Sequence, residues 1–87
     1  GLVPGEGAAF LMLESARHAS ARGAQPLALL RGWATGMDDA GRASVGADGA
    51  TLVAVMTRAL GVAGLDASRL DAIHAHGTGT VLNDLAE

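Results

Sequence analysis

The chain has 87 residues, 49% hydrophobic and 17% charged, which is enough for one small domain and excludes two, and with them a self-contained large enzyme. Nine acidic residues against six arginines, with no lysine, leave a net charge of −3, so nucleic acid and acidic membrane surfaces are not expected partners. Without cysteine the stretch holds no disulfide, no thiolate metal site and no thiol nucleophile. Apolar runs such as Ala8 to Leu13 fall far short of the ~20 residues of a membrane span, and no charged, signal-like leader opens the sequence. A soluble, cytoplasmic protein is expected. The sequence opens without methionine and stops at Glu87 soon after a polar motif, with no closing helix read there, so it is expected to be a piece of a longer chain.

In chain order, Gly5-Glu6-Gly7 reads as a turn, and the continuous apolar block Ala8 to Leu13 has the pattern of a strand buried on both faces. Glu14 through Arg22 predicts a short helix with a small-residue face at Ala16, Ala19 and Ser20, stopped by Gly23 and Pro26. Leu27 to Thr35, with Trp33 as a core candidate, predicts a second strand, and Gly36 to Gly49, rich in glycine, aspartate and serine without a period, predicts a loop. Between Thr51 and Leu60, apolar residues recur at three- and four-residue spacing, which predicts a second helix ended by Gly61 or Gly64. Asp66 suits a cap of the next turn. Leu70 to Ala75 then leads as a strand into His-Gly-Thr-Gly-Thr. Strand and helix in alternation predict an α/β architecture.

The chemistry-bearing residues concentrate between Ile73 and Glu87. On an extended segment His74 and His76 share a face, and Gly77 and Gly79 let the backbone turn sharply and approach a ligand. A histidine at a strand end before such a loop suits an acid, a base or a hydrogen-bond donor, though a satisfied structural histidine fits the same place. Thr78 and Thr80 have short hydroxyl side chains that serve equally as cap or turn residues. Asp84 and Glu87, three apart, share a face on a helix and suit holding a basic residue or histidine, or giving a helix an acidic start. His74 and His76, with Asp84 or Glu87, would also allow a zinc site of a metal hydrolase, but Gly77 to Thr80 adds no typical ligand. Phosphate binding by Gly77-Thr78-Gly79-Thr80 lacks the lysine of a P-loop. His18 is assigned to the surface.

The string Ala75-His76-Gly77-Thr78-Gly79-Thr80, followed by Asn83-Asp84 and Glu87, resembles the signature of β-ketoacyl synthases, the condensing enzymes of fatty-acid and polyketide synthesis. Upstream, Gly5-Glu6-Gly7-Ala8 leading to Leu11-Met12-Leu13-Glu14, and Ala21-Arg22-Gly23-Ala24 followed by Gly32, agree in order with the same family. The resemblance implies a thiolase-like fold of two similar α/β halves, each with a mixed five-stranded sheet flanked by helices. Residues 1–47 would end the first half and 48–87 would begin the second.

By the same resemblance, the protein would condense an acyl thioester with malonyl-acyl carrier protein. His76 would assist decarboxylation, Thr78 and Thr80 would contact the pantetheine arm, and Asp84 and Glu87 would stand behind them. No cofactor or metal is implied beyond the phosphopantetheine of the carrier. Acyl carrier protein and a second copy of the chain would be the partners. The nucleophilic cysteine would precede Gly1, and a second histidine and a lysine would follow Glu87. His74 stands where relatives often carry an acid or amide, and the loop from Met37 to Gly49 lacks prolines that many of them show. A catalytically silent partner subunit of the same fold is the alternative, against which the intact imidazole at His76 argues.

Overall fold

The computed structural model of the chain describes residues 3–38, 46 and 48–87. Its elements, in order, are α1 (Ala16–Ala21), α2 (Ala50–Ala63), one 3-10 turn (Ala67–Arg69) and α3 (Val81–Ala86). Most of the predicted loop at 36–49 lies outside the described residues.

Local chemistry explains where each helix starts and stops. Ser15 is extended and its hydroxyl accepts the His18 backbone N–H at 3.2 Å, so α1 begins one residue later. At its far end the Gly23 N–H donates to Ser20 O (3.1 Å) and the Ala24 N–H to Ala19 O (2.9 Å), a Schellman closure that needs the positive φ of Gly23. The same closure ends α2, where Gly64 donates to Gly61 O and Leu65 to Leu60 O. Gly64, not Gly61, is therefore the stop. Asp66 caps the 3-10 turn as expected, accepting the Ser68 N–H at 2.8 Å and the Ser68 hydroxyl, and these bonds hold its carboxyl below the usual carboxylate range. His18 is exposed on α1. Its Nδ1 lies 3.4 Å from Glu14, whose carboxylate also takes Arg22 through Nε at 3.0 Å and through Nη2.

Helix α2 lies against the segment 31–36, and the register follows from two spacings. Four extended residues advance about 13 Å, while eight helical residues advance about 12 Å. Gly32 thus faces Ala59 and Ala63 while Gly36 faces Thr51 and Val55. A Cβ at Gly32 would sit 2.8 Å from Ala63 N, and one at Gly36 would sit 2.5 Å from the Val55 Cγ2. Two arginines bind the layers from opposite sides: Arg31 Nη2 donates to Ala63 O and Arg58 Nη1 donates to Thr35 O, each at 3.3 Å.

The strands predicted at 8–13, 27–35 and 70–75 are corrected to unpaired segments, because no strand forms among the described residues. A strand exists only through a neighbour's N–H and C=O groups, and these three segments do not neighbour one another in the sheet sense. Phe10 is 96% exposed, and Trp33, the expected core residue, is 68% exposed. Ala19 is the buried hydrophobic residue among those described. The total exposed surface is 7820 Å², against roughly 4,700 Å² for a self-contained domain of this mass. The Cα radius of gyration is 16.5 Å, against roughly 12 Å for close packing at this length. Most of the apolar side chains of the described residues are thus left uncovered. Helix α3 closes the stretch after the polar motif, where the sequence predicts no closing helix, and Asp84 gives it the acidic first turn that the sequence allows. Among the described residues no helix is long and apolar enough to cross a membrane.

Candidate functional site

The His-Gly-Thr-Gly-Thr loop and α3 form one closed unit. Gly77 and Gly79 both have positive φ, 56° and 73°, so the chain coils between them instead of running on as a strand. The loop ends at Thr80, which precedes the first residue of α3 and whose carbonyl accepts the Asp84 N–H at 3.0 Å. Helical spacing then places Asp84 and Glu87 one turn apart, and both reach back to the loop.

Glu87 makes most of the contacts. Its Oε1 accepts the His76 backbone N–H at 2.7 Å, and its Oε2 accepts the Gly77 N–H at 2.9 Å and the Asn83 Nδ2 at 3.0 Å. Asp84 Oδ1 accepts the Gly79 N–H at 3.1 Å. The two acids therefore hold loop backbone and not a basic side chain or imidazole, and Asp84 also gives α3 its acidic first turn. The Gly77 N–H is the largest influence keeping the Glu87 carboxyl below the usual carboxylate range; partial desolvation opposes it, and the His76 N–H, the Asn83 amide and the His76 charge reinforce it.

Consecutive loop N–H groups of this kind form a concavity suited to an anion. Here the chain's own carboxylates take the His76, Gly77 and Gly79 N–H groups and so compete with any phosphate for these donors.

The Thr78 and Thr80 hydroxyls lie 2.9 Å apart and share a hydrogen bond in which either can donate. Thr78 is half-buried and Thr80 exposed, and Thr80 makes no side-chain cap bond to α3. The His76 imidazole is exposed, with no side-chain hydrogen bond among the described residues, although its backbone is fixed on Glu87. A fixed backbone with a free imidazole is what a group acting on a bound substrate requires. His74 is exposed as well. Among the described residues no three His, Cys, Asp or Glu side chains converge as a metal site, so the pair His74 and His76 gains no third ligand.

Two further residues meet this unit, Asn83 through the Glu87 carboxylate and Gly49 beside Ala86. Asn83 stands four residues before Glu87, a spacing that signals a side-chain pair on a helix. Gly49 carries no such local signal, because its neighbour is Ala86, far along the chain.

A family profile described as "Beta-ketoacyl synthase, C-terminal domain" matches residues 27–87. The chain belongs to the β-ketoacyl synthase family, and the thiolase-like fold comes with that membership. Over the whole chain it is 41% identical to a Streptomyces rimosus protein named as oxytetracycline polyketide β-ketoacyl synthase 1, of which it covers 20%. It is 40% identical, over 97 aligned positions, to 3-oxoacyl-(acyl-carrier-protein) synthase 2 of Mycobacterium tuberculosis, covering 21% of that protein. It is 44% identical to nodulation protein E of a Rhizobium species, again covering 21%. The chain thus spans about a fifth of the length of these relatives.

Proposed function

We propose that these residues are the decarboxylation segment of a ketosynthase that condenses an acyl thioester with malonyl-acyl carrier protein in fatty-acid or polyketide synthesis. The observation that carries this reading is the His76 loop: a free imidazole on a backbone clamped by Glu87, within a chain of this family.

The chemistry asks for such a group. As the bond to the malonyl carboxylate breaks, carbon dioxide leaves and its electron pair passes to the α-carbon and the thioester oxygen. A donor held at that oxygen stabilises the charge and is typically worth roughly 10²–10³ in rate. His76 is that donor. The carbanion then attacks an acyl group held on a cysteine outside these 87 residues; a carbon–carbon bond forms and the thiolate leaves. Thr78 and Thr80 contact the pantetheine arm, and Asp84 and Glu87 position the loop.

In the same proposal, residues 1–47 end the first α/β half and 48–87 begin the second, with the extended segments completing mixed sheets in the whole protein. No metal or cofactor takes part other than the carrier's phosphopantetheine. The protein is cytoplasmic and pairs with a second copy of itself.

The deciding experiment uses the full-length protein and follows malonyl-acyl carrier protein decarboxylation separately from acyl transfer onto the nucleophile. His76→Ala is expected to cut decarboxylation roughly 10²–10³-fold while acyl transfer persists. Near-normal decarboxylation in that variant sinks the proposal. No acyl transfer in the unmutated protein, together with a non-nucleophilic residue at the upstream cysteine position, would make it a silent partner subunit instead.

A further inference from the structure

Gly49 is the residue before α2, buried, and in the left-handed conformation with φ 64°. It is held on both sides: its N–H donates to Gly46 O at 3.0 Å and its carbonyl accepts the Val53 N–H at 3.0 Å. Helix α2 behind it is tied to the segment 31–36 by Arg31, Arg58 and the close approach of Gly32. Gly49 therefore cannot retreat. Against its open side stands the last turn of α3, where a Cβ on Gly49 would lie 2.7 Å from Ala86 O and 3.6 Å from Ala86 C.

The next residue along is Glu87, whose carboxylate holds the backbone of His76 and Gly77. We propose that Gly49 is a positioning residue for His76: its missing side chain sets how far α3 can close, and so where Glu87 places the histidine loop. This rests on the decarboxylating role proposed for His76. The path has two contacts, Gly49 to Ala86 and Glu87 to His76, joined by one peptide bond. A side chain at 49 pushes the α3 terminus outward, because the anchored α2 does not yield.

Gly64 supplies the comparison. It follows the other end of the same helix with nearly the same φ, 66°, yet a Cβ there meets nothing within 4 Å. Alanine at 64 carries the backbone strain of alanine at 49 without the collision, so the difference between the two variants reads the collision alone.

In the full-length protein, Gly49→Ala, Gly49→Asn, Gly64→Ala and Glu87→Ala would be compared, with the double variant of Gly49→Ala and Glu87→Ala. Amide hydrogen exchange over residues 74–80 and the ratio of malonyl decarboxylation to acyl transfer would be measured. Gly49→Ala is expected to speed exchange at His76 and Gly77 and to lower the ratio about tenfold or more, since displacements near 1 Å have effects of that order. Gly64→Ala should leave both within about twofold, and Gly49→Ala should add nothing once Glu87 is alanine. Equal behaviour of Gly49→Ala and Gly64→Ala, or additive losses with Glu87→Ala, overturns the inference. Asparagine tolerates the left-handed conformation, so Gly49→Asn is the better-folding probe of the same collision. Failure of both 49 variants to fold while Gly64→Ala folds also overturns it, because Gly49 would then serve the whole fold. The exchange readout judges the mechanical link by itself; a lack of decarboxylation in the unmutated protein would bring down the function proposed for His76.

Discussion

The Glu87 carboxylate and the His76 backbone are joined at 2.7 Å across eleven residues, with one carboxylate oxygen on the His76 N–H and the other on the Gly77 N–H. Glu87 makes its geometric contribution through backbone, leaving the imidazole free. An acceptor that straddles two consecutive N–H groups fixes the two peptide planes that flank the His76 Cα, and with them the direction in which the His76 side chain leaves the chain.

Replacing Glu87 with glutamine keeps one oxygen acceptor and gives up the second, along with the charge. In the full-length protein, Glu87→Gln is expected to lower the decarboxylation rate about tenfold and Glu87→Ala further, with acyl transfer less affected. Steady-state assays of the two half reactions check this, and a Glu87→Ala variant with unchanged decarboxylation would remove Glu87 from the mechanism.

The pH dependence has a definite sign. Hydrogen bonding holds the Glu87 carboxyl below its ordinary value, so the clamp is fully present above that ordinary value and is lost as pH falls through the lowered one. A ¹³C titration of the Glu87 carboxyl should give a midpoint below that of an ordinary glutamate, and exchange at the Gly77 amide should rise with protonation. A midpoint above it would contradict the geometry.

Gly32 and Gly61 should respond to a methyl group in opposite ways. Gly32→Ala drives a methyl against Ala59 and Ala63 and is expected to destabilise the full-length protein by about 1–3 kcal/mol. Gly61→Ala lies inside α2 with nothing within 4 Å and should stabilise by about 0.5–1 kcal/mol. Chemical denaturation distinguishes them; a neutral Gly32→Ala would mean that the segment 31–36 does not sit against α2.

The hydroxyl pair at 78 and 80 predicts a binding effect. Thr80→Val removes the hydrogen bond with Thr78 at nearly constant volume, and is expected to raise KM for the carrier-bound substrate several-fold with kcat less changed. Loss of kcat alone, at constant KM, would argue that Thr80 serves the turn and not the substrate.

The isolated 87-residue chain should not behave as a compact monomer. Its uncovered surface includes Phe10, Leu11, Met12, Leu13 and Trp33, which predicts self-association and strong binding of an apolar dye. Sedimentation velocity with dye fluorescence tests this, and a monodisperse sample with a sharp thermal transition would refute it.

Much of the local structure could be read from residue order because it depends on neighbours in sequence. The apolar recurrence from Leu52 to Leu60, the stops at Gly23 and Gly64 and the Asp66 cap each involve partners within a turn or two. Segments such as 8–13 have the composition of strands, but the ladder that defines one depends on residues other than those that encode it, and among the described residues none forms. The candidate site divides the same way. His76 and the threonines stand out by type and spacing, and the shared face of Asp84 and Glu87 followed from their separation by three. That these acids face the loop backbone depended on the coil made at Gly77 and Gly79. The part played by Gly49 depended on two distant helix ends meeting, which no window of sequence reports.

The unpaired segments also bear on how such a protein forms. A helix such as α2 closes its bonds among near neighbours, and helix growth takes about nanoseconds per residue. In the proposed mixed sheets the segments 8–13 and 27–35 would wait for backbone partners, because long loop closures cost entropy before any bond offsets it. On the proposed architecture, helices come early and sheet completion late, with the apolar block 8–13 open in the interval. Molecular chaperones would meet this region as a newly made chain emerging with Phe10 to Leu13 still bare.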